Sequence, residues 1–220
     1  MLRLRDDQWE RIRDQFPEEH VPDTRPGRKP IPTRAVLDTV LWILNTGAQW
    51  HLLPQCYPNY KTVHRRFQQG CQRAVLREVL TQLANTLRDE GALDERESFI
   101  DATFAAANHH EITLVQLSFD FYMLEAKPEH LIGDRAYDSD GLDADLHHDG
   151  VNLIAPHRST RKLKTQDGRH LRRYQRRWLV ERFFAWLQWK RRLLIRWEYY
   201  AANFLGFVQL ACITMLLKRF

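Results

Sequence analysis

The sequence predicts a mixed α and α/β protein: an N-terminal helical part, then a short parallel three-stranded sheet flanked by helices. Apolar residues recur at helical spacing over the N-terminal part of the chain. Short apolar runs then alternate with helical stretches, which is typical of strands joined by crossover helices. A charged segment separates the two patterns, so we place the domains at 1–92 and 93–220.

The chain begins with an amphipathic helix that is predicted to stop before Pro17, because apolar residues recur near helical spacing at Leu4, Trp9, Ile12 and Phe16. The segment 21–32 holds four prolines among basic residues and is predicted to be an extended arm. Thr33 is then expected to cap a helix that continues to about Asn45, where Gly47 ends it.

A further helix follows the turn at Asn59 and is predicted to break near Gly70. Two helices joined by a compact turn resemble a helix-turn-helix, in which the start of the second helix faces DNA. That start carries the basic residues Lys61, Arg65 and Arg66. The alternative is a plain helical bundle whose basic residues are solvated, and periodicity leaves both interpretations open.

Three short apolar segments, at 98–107, 130–137 and 151–157, are predicted to be strands. Helical stretches at 113–126 and 140–150 separate them. The alternation therefore predicts a parallel sheet with right-handed crossovers.

The C-terminal part is strongly basic. Between Arg158 and Arg196 there are fourteen Lys and Arg against two acids, a charge of +12, so the rest of this +5 chain carries −7. The segment is predicted to begin as a loop and to continue as a long helix from about Tyr174 to Lys190, before an apolar terminal helix. The arginines indicate DNA binding. We interpret the tryptophans as core residues, at Trp178, Trp186, Trp189 and Trp197.

Several other classes of protein are disfavoured. The three cysteines are odd in number and form no CxxC pair, which argues against a disulfide framework or a structural zinc site and favours the cytosol. The charged N-terminus lacks the apolar core of a secretory signal. No membrane association is expected, because the apolar stretch 204–217 is interrupted and short for a bilayer.

Three carboxylates are the candidate catalytic and metal-binding residues. Asp101 and Asp134 lie in or near the ends of apolar strands, where an ionised carboxylate is costly unless it is paired or binds a metal. Ligand sites in parallel sheets gather at the carboxyl ends of the strands, so the two are expected to converge. Glu181 shares a helix face with Tyr174 and Arg177 and is expected to point with them toward the sheet.

Three oxygen donors from separate elements suit Mg²⁺ or Mn²⁺. Two such ions activate a nucleophilic oxygen and stabilise the leaving oxygen in phosphodiester cleavage or transfer. Arg177 and Tyr174 would then orient a phosphate or the flipped end of a strand. The alternative is structural, with Asp134 as a strand-end turn residue and Glu181 as a salt-bridge partner of Arg177 or Arg182. The residues alone leave both open.

Together these residues resemble the DDE transposases of small bacterial insertion sequences, whose catalytic domain is ribonuclease H-like. The Gly-x-Gln-Trp and Leu-Pro features at 47–54 look like the family's helical DNA-binding domain. The segments 99–107, 132–140 and 174–187 look like the two strands and the helix that carry the catalytic residues, here Asp101, Asp134 and Glu181.

The resemblance also implies DNA contacts from the signature helix. Its Tyr and Arg correspond to Tyr174 and Arg177, whereas the position that commonly carries Lys holds Gln188, with Lys190 close by. With the basic residues just upstream, the predicted DNA-binding residues at this end of the chain are Arg172, Arg173, Tyr174, Arg177 and Lys190.

The spacing of the two aspartates departs from the family, since Asp101 and Asp134 are only 33 positions apart. The resemblance implies a further hairpin between them, yet residues 105–116 pass almost directly from a strand to the crossover helix. This joint cannot supply two strands of about five or six residues, so we infer a deletion. The predicted ribonuclease H-like sheet is therefore trimmed to its first, fourth and fifth strands, and the first strand has an open edge.

The resemblance implies a transposase that binds the ends of its element and target DNA and that cleaves and joins strands with a divalent metal. It also implies a homo-oligomer assembled on DNA, in the bacterial cytoplasm at the nucleoid. The missing hairpin leaves an alternative open: a catalytically inactive DNA-binding remnant that inhibits a full-length relative.

Overall fold

The protein is described from a computed structural model, which covers residues 3–22, 29–101, 127–162 and 168–220. Contacts divide the chain into two compact units, one of residues 1–84 with 186–220 and one of residues 85–185. The domain boundary that the sequence places at residue 92 stays a prediction, because compact units are defined by contacts and domains by independent folding.

The described helices, in chain order, are α1 (Asp6–Ile12), α2 (Thr33–Thr46), α3 (Tyr60–Gln72), α4 (Val75–Asp89), α5 (Asp140–His148), α6 (Gly168–Tyr174), α7 (Trp178–Gln188), α8 (Arg191–Leu194) and α9 (Ala201–Leu216). The described strands are β1 (Glu97–Phe99), β2 (His130–Ile132) and β3 (Asn152–Ile154). No helix in the described part of the chain is long and apolar enough to cross a membrane.

Helix α2 is central to the first unit and ends as predicted at Gly47, which adopts a left-handed conformation with φ of 71°. The prediction that Thr33 caps this helix is wrong, because Pro32 is the N-cap and Thr33 is already helical. The Thr33 hydroxyl instead accepts a hydrogen bond from Arg66. The apolar face of α2 is buried at Val36, Leu37, Val40, Leu41 and Leu44.

The helix that follows the turn at Asn59 breaks close to Gly70, as predicted. Helix α3 continues through Gly70 and ends at Gln72, and the chain turns at Ala74, whose φ is 56°. The helix packs on α9, where the rings of Phe67 and Phe207 lie 4.5 Å apart. The first and last elements of this unit also meet, since Gln8 donates a hydrogen bond to the carbonyl of Leu217 at 3.0 Å.

The second unit contains the predicted sheet. Its strands are parallel and ordered β1-β2-β3, with Phe99 opposite Ile132 and Ile132 opposite Ile154. This confirms the short three-stranded parallel sheet of a trimmed ribonuclease H-like domain. Its core is formed by Leu131, Tyr137, Leu142, Leu146 and Val151. Two predictions, the crossover helix at 113–126 and the deletion inferred between the aspartates, concern residues outside those described.

Two predictions about the C-terminal part need correction. The basic loop ends earlier than predicted, because α6 begins at Gly168 and a 3₁₀ turn joins it to α7. The interpretation of the tryptophans as core residues is wrong for Trp178, Trp189 and Trp197, which are exposed. In α7 the residues Val180 and Leu187 are buried, and helical geometry turns Trp178 to the opposite face.

Candidate active site

The carboxyl ends of β1 and β2 bring the first two carboxylates together. Phe99 and Ile132 are opposite one another at the ends of these strands, and Asp101 and Asp134 each lie two residues further on. Parallel strands in register therefore place both aspartates at one edge of the sheet, where ligand sites of such sheets form. A single guanidinium, that of Arg177, lies 3.1 Å from Asp101 Oδ2 and 3.9 Å from Asp134 Oδ2.

The residue before Asp134 is Gly133, and the close packing at this edge of the sheet requires a glycine there. A Cβ atom on Gly133 would lie 2.8 Å from Cδ2 of Tyr137 and 3.1 Å from Cγ2 of Ile100, so only glycine lets the buried Tyr137 ring pack here. Asp134 Oδ1 accepts a hydrogen bond from the amide of Ala136 at 2.8 Å. One carboxylate oxygen thus caps the following 3₁₀ turn, and the other faces Arg177.

Glu181 reaches the same guanidinium from the first turn of α7. Its Oε1 lies 3.8 Å from Nη1 of Arg177, and the same Nη1 donates a hydrogen bond of 3.5 Å to the Tyr174 hydroxyl. Tyr174 ends α6, Arg177 lies in the 3₁₀ turn and Glu181 is in α7, so the single long helix predicted from Tyr174 is wrong. The Tyr174 and Glu181 side chains nevertheless both lie beside Arg177, which contacts Asp101 and Asp134 at the strand ends.

Arg177 is thus the positive centre of a site with three carboxylates. Burial acts to lower its pKa, but the Tyr174 hydroxyl and the charge of Asp101 outweigh this and raise the pKa above its ordinary value. The guanidinium is therefore charged at every physiological pH. Its Nε atom is buried and has no hydrogen-bond partner among the described residues.

The donor set fits a hard divalent cation, because all three side chains offer carboxylate oxygens and already share one cationic group. In this structure the three carboxylates are spaced around the Arg177 guanidinium. Among the described residues, no three potential ligands are close enough to hold a metal ion. Direct coordination needs ligand distances of about 2.0–2.1 Å for Mg²⁺, so the carboxylates would have to close in as Arg177 withdraws.

A second polar cluster lies beside this site and was not predicted from the sequence. The carboxylate of Asp138 accepts hydrogen bonds from His157 Nδ1 at 3.0 Å, from the Arg158 amide at 2.7 Å and from Arg161. Burial acts to raise the pKa of Asp138, but these bonds and the Arg161 charge outweigh it and hold the pKa below its ordinary value. The Arg158 side chain also donates to the carbonyl of Ala136 at 2.7 Å.

This cluster ties the basic segment after β3 to the turn that follows Asp134. The sequence does contain a signal for this cluster. An acidic residue, Asp138, lies four positions after Asp134, and a run of basic residues follows the next strand. Glu97, on β1, was also missed; its nearly buried carboxylate binds Arg173 and lies 2.6 Å from Arg176. Spacing gives no indication of these pairs, because the partners are more than seventy positions apart.

Comparison with known proteins agrees with this geometry. Residues 4–80 match a family described as "Putative transposase of IS4/5 family", and residues 90–216 match the family "Transposase DDE domain". The second match alone covers more than half of the 220 residues. The chain belongs to the DDE transposase family.

One relative of this transposase is the "Uncharacterized protein y4sN" of Sinorhizobium fredii (strain NBRC 101917 / NGR234), which is 36% identical over 109 residues. The aligned part covers 49% of the present chain and 78% of that protein. No solved structure gives a significant match. The family assignment indicates DNA transposition as the process to which the chain belongs and implies DNA binding, and DDE transposases in general use divalent metal ions.

The predicted DNA-binding residues of this transposase are placed in different ways in the first unit. Lys61 and Arg65 are exposed near the start of α3, which Asn59 caps. Arg66 points inward, because its guanidinium donates to the carbonyl of Ile31 and, at 3.1 Å, to Thr33 Oγ1. Lys61 and Arg65 are accessible to DNA as they stand, and Arg66 supports the start of α2.

The remaining predicted contacts lie near the signature helix. Arg172 and Arg173 are exposed on α6, and Arg173 binds Glu97. Lys190 is only 5% exposed, and its Nζ donates to Asn45 Oδ1 at 2.8 Å within the first unit. Burial lowers the pKa of Lys190 from its ordinary value.

Proposed function

We propose that this transposase binds the ends of its own insertion element and cleaves and joins DNA there, with Asp101, Asp134 and Glu181 holding the divalent metal. The proposal is carried by one observation: three carboxylates from two strand ends and a helix converge on a single cation, the Arg177 guanidinium. An arrangement that stabilises one positive group between three acids is suited to a metal ion at the same place.

Mg²⁺ or Mn²⁺, when bound, would supply activation of the attacking oxygen and stabilisation of the leaving oxygen. The residues have separate tasks in this proposal. Asp101, Asp134 and Glu181 would each turn a carboxylate oxygen toward the ion, and Asp134 keeps its other oxygen on the turn at Ala136. Arg177 then releases the carboxylates and binds a phosphate of the DNA strand end. A planar guanidinium can donate two parallel hydrogen bonds to one phosphate.

The same proposal assigns the DNA contacts. Tyr174 lies beside Arg177 and would orient the strand end. Arg66 and Lys190 would reach phosphates only after giving up the contacts they make inside the first unit. Lys61, Arg65 and Arg172 are exposed cations that would follow the DNA backbone. Arg173 would join them only after giving up its contact with Glu97. Assembly of several copies on the paired ends belongs to this proposal as well.

The direct test is nicking and joining of DNA that carries the element's own ends, with Mg²⁺ present or absent. Asp134→Asn should abolish both reactions, because an amide is a poor ligand for Mg²⁺. Its carbonyl oxygen can still accept the Ala136 hydrogen bond, so the turn should survive. Asp145→Asn is the matched control, since Asp145 is an exposed aspartate of the same unit with the same charge. Equal cleavage by both variants would exclude Asp134 from the metal site.

A second function is favoured by the spacing of only 33 positions between Asp101 and Asp134, which is short for the hairpin that the family resemblance implies there. We propose as the alternative that the chain is a DNA-binding remnant that occupies element ends and inhibits a full-length relative. Salt-dependent binding to the ends, with no metal-dependent cleavage by the parent chain, would favour this alternative.

A further inference from the structure

The first unit displays a cluster of exposed aromatic side chains between α7 and α9. Trp189 is 81% exposed and Tyr199 is 89% exposed, and Trp197 and Tyr200 are exposed as well. The apolar residues Leu194 and Ile195 are exposed in the same stretch. Single exposed apolar residues are normal on protein surfaces, but so many within a few turns of chain mark a binding surface. We call residues 189–200 the aromatic segment.

The aromatic segment is firmly held. Arg192, which is 4% exposed, donates to Glu198 Oε1 at 3.0 Å and to the Ala48 carbonyl at 3.1 Å. Its guanidinium also lies 5.6 Å from the centre of the Phe207 ring. This buried ion pair closes the chain between α8 and α9 into a loop anchored on the core. Rings presented on a fixed backbone lose little further conformational freedom when a ligand binds.

The accessible charge within the aromatic segment is positive. Glu198 is the sole acidic residue between Arg182 and the C-terminus, and it is buried against Arg192. Arg191 and Arg196 are exposed, and within the described part of the chain neither has a carboxylate partner. The segment therefore combines ring faces with unneutralised guanidinium groups, the combination that binds an unpaired nucleic-acid strand.

We infer that the aromatic segment is a binding site for unpaired DNA bases, which stack on Trp197, Tyr199 and Tyr200 while Arg191 and Arg196 contact the flanking phosphates. Duplex DNA cannot make these stacking contacts, because the ring faces of paired bases are covered by their neighbours in the stack. This inference goes beyond the proposed cleavage function, since it requires neither a metal ion nor the three carboxylates.

The charge also argues against a second copy of this chain as the occupant. A two-fold contact through the aromatic segment would bring Arg191 and Arg196 of both copies together, with no exposed acid in the segment to neutralise them. An unpaired DNA strand, in contrast, can stack its bases on the aromatic side chains and place its phosphates beside the arginines.

The test measures the affinity of the full chain for a fluorescent oligothymidylate and for a short duplex of unrelated sequence, by anisotropy in EDTA. Stacking on an aromatic side chain contributes about 1–3 kcal/mol per base, so each lost ring should weaken binding about fivefold or more. Tyr199→Ala with Tyr200→Ala should therefore bind the single strand at least about twentyfold more weakly, with duplex binding little changed. Tyr199→Phe with Tyr200→Phe should restore binding, because the rings remain.

A second variant tests the phosphate contacts. Arg191→Gln with Arg196→Gln should lower the salt dependence of single-strand binding by about 0.7 per lost contact in the logarithmic slope. The inference is overturned if the parent chain does not prefer the single strand, or if the double Ala variant binds it as tightly as the parent. It is overturned equally if that variant changes the sedimentation behaviour and leaves DNA affinity intact, which would make the segment a contact between copies. Because EDTA removes divalent metal ions, these binding measurements do not depend on metal-dependent cleavage, and a failure of the proposed cleavage function would be seen separately.

Discussion

Arg177 holds three carboxylates together in the absence of metal, so its removal should weaken the metal-free fold. The perturbation is Arg177→Gln, which keeps much of the side chain's length and removes its charge. The hydrogen bond to Asp101 at 3.1 Å is partly buried and should contribute about 1.5–3 kcal/mol. The contacts at 3.9 Å with Asp134 and 3.8 Å with Glu181 are longer and more exposed, so each should contribute about 0.2–1 kcal/mol.

After allowance for the partial solvation of this site, Arg177→Gln should lower the free energy of unfolding by about 2 kcal/mol. For a chain of this size that loss corresponds to a fall in Tm of about 4–8 °C. Mg²⁺, in contrast, should stabilise Arg177→Gln strongly. Without the guanidinium the carboxylates repel one another, so Mg²⁺ should raise the Tm of Arg177→Gln more than that of the parent chain.

Thermal and urea unfolding with and without Mg²⁺ measure both effects. Arg172→Gln is the matched control, because Arg172 is an exposed arginine of the neighbouring helix, and its loss should change stability by less than about 0.5 kcal/mol. Equal stability of Arg177→Gln and Arg172→Gln in EDTA, or equal stabilisation of the parent and Arg177→Gln by Mg²⁺, would contradict this role of Arg177.

Two further predictions concern packing and pH. Gly206→Ala should lower the free energy of unfolding in urea by about 1–3 kcal/mol, because the new Cβ would clash with Cys71 Sγ. Adding Cys71→Ala should recover most of that loss, and no recovery would show that the clash lies elsewhere. The pKa of Asp138 is lower in the folded chain than in the unfolded one, so its stabilisation is complete above the unfolded value of about 3.9 and is lost as the pH falls through the folded value. Asp138→Asn should therefore be less stable at neutral pH and lose less stability on acidification, and parallel acid titrations of both proteins would contradict this.

The elements of the fold were largely predictable because their signals are local. Apolar runs identified each of the strands that the structure describes, and the left-handed Gly47 ended α2 where expected. The convergence of Asp101 and Asp134 also followed from local patterns, since parallel neighbours end at one edge of a sheet. Contacts between distant parts of the chain, such as Arg177 with Asp101 seventy-six positions away, needed the structure.

Local sequence patterns were sufficient to predict the helical N-terminal part, the parallel sheet, the three carboxylates and the family. Packing between distant segments, in contrast, set which of the large and charged side chains are accessible. It exposed Trp189 and Trp197, buried Lys190 against Asn45, and placed residues 186–220 with the N-terminal helices. The physical reason is that hydropathy and helical spacing specify the face on which a side chain lies, whereas burial depends on which distant segment packs against that face.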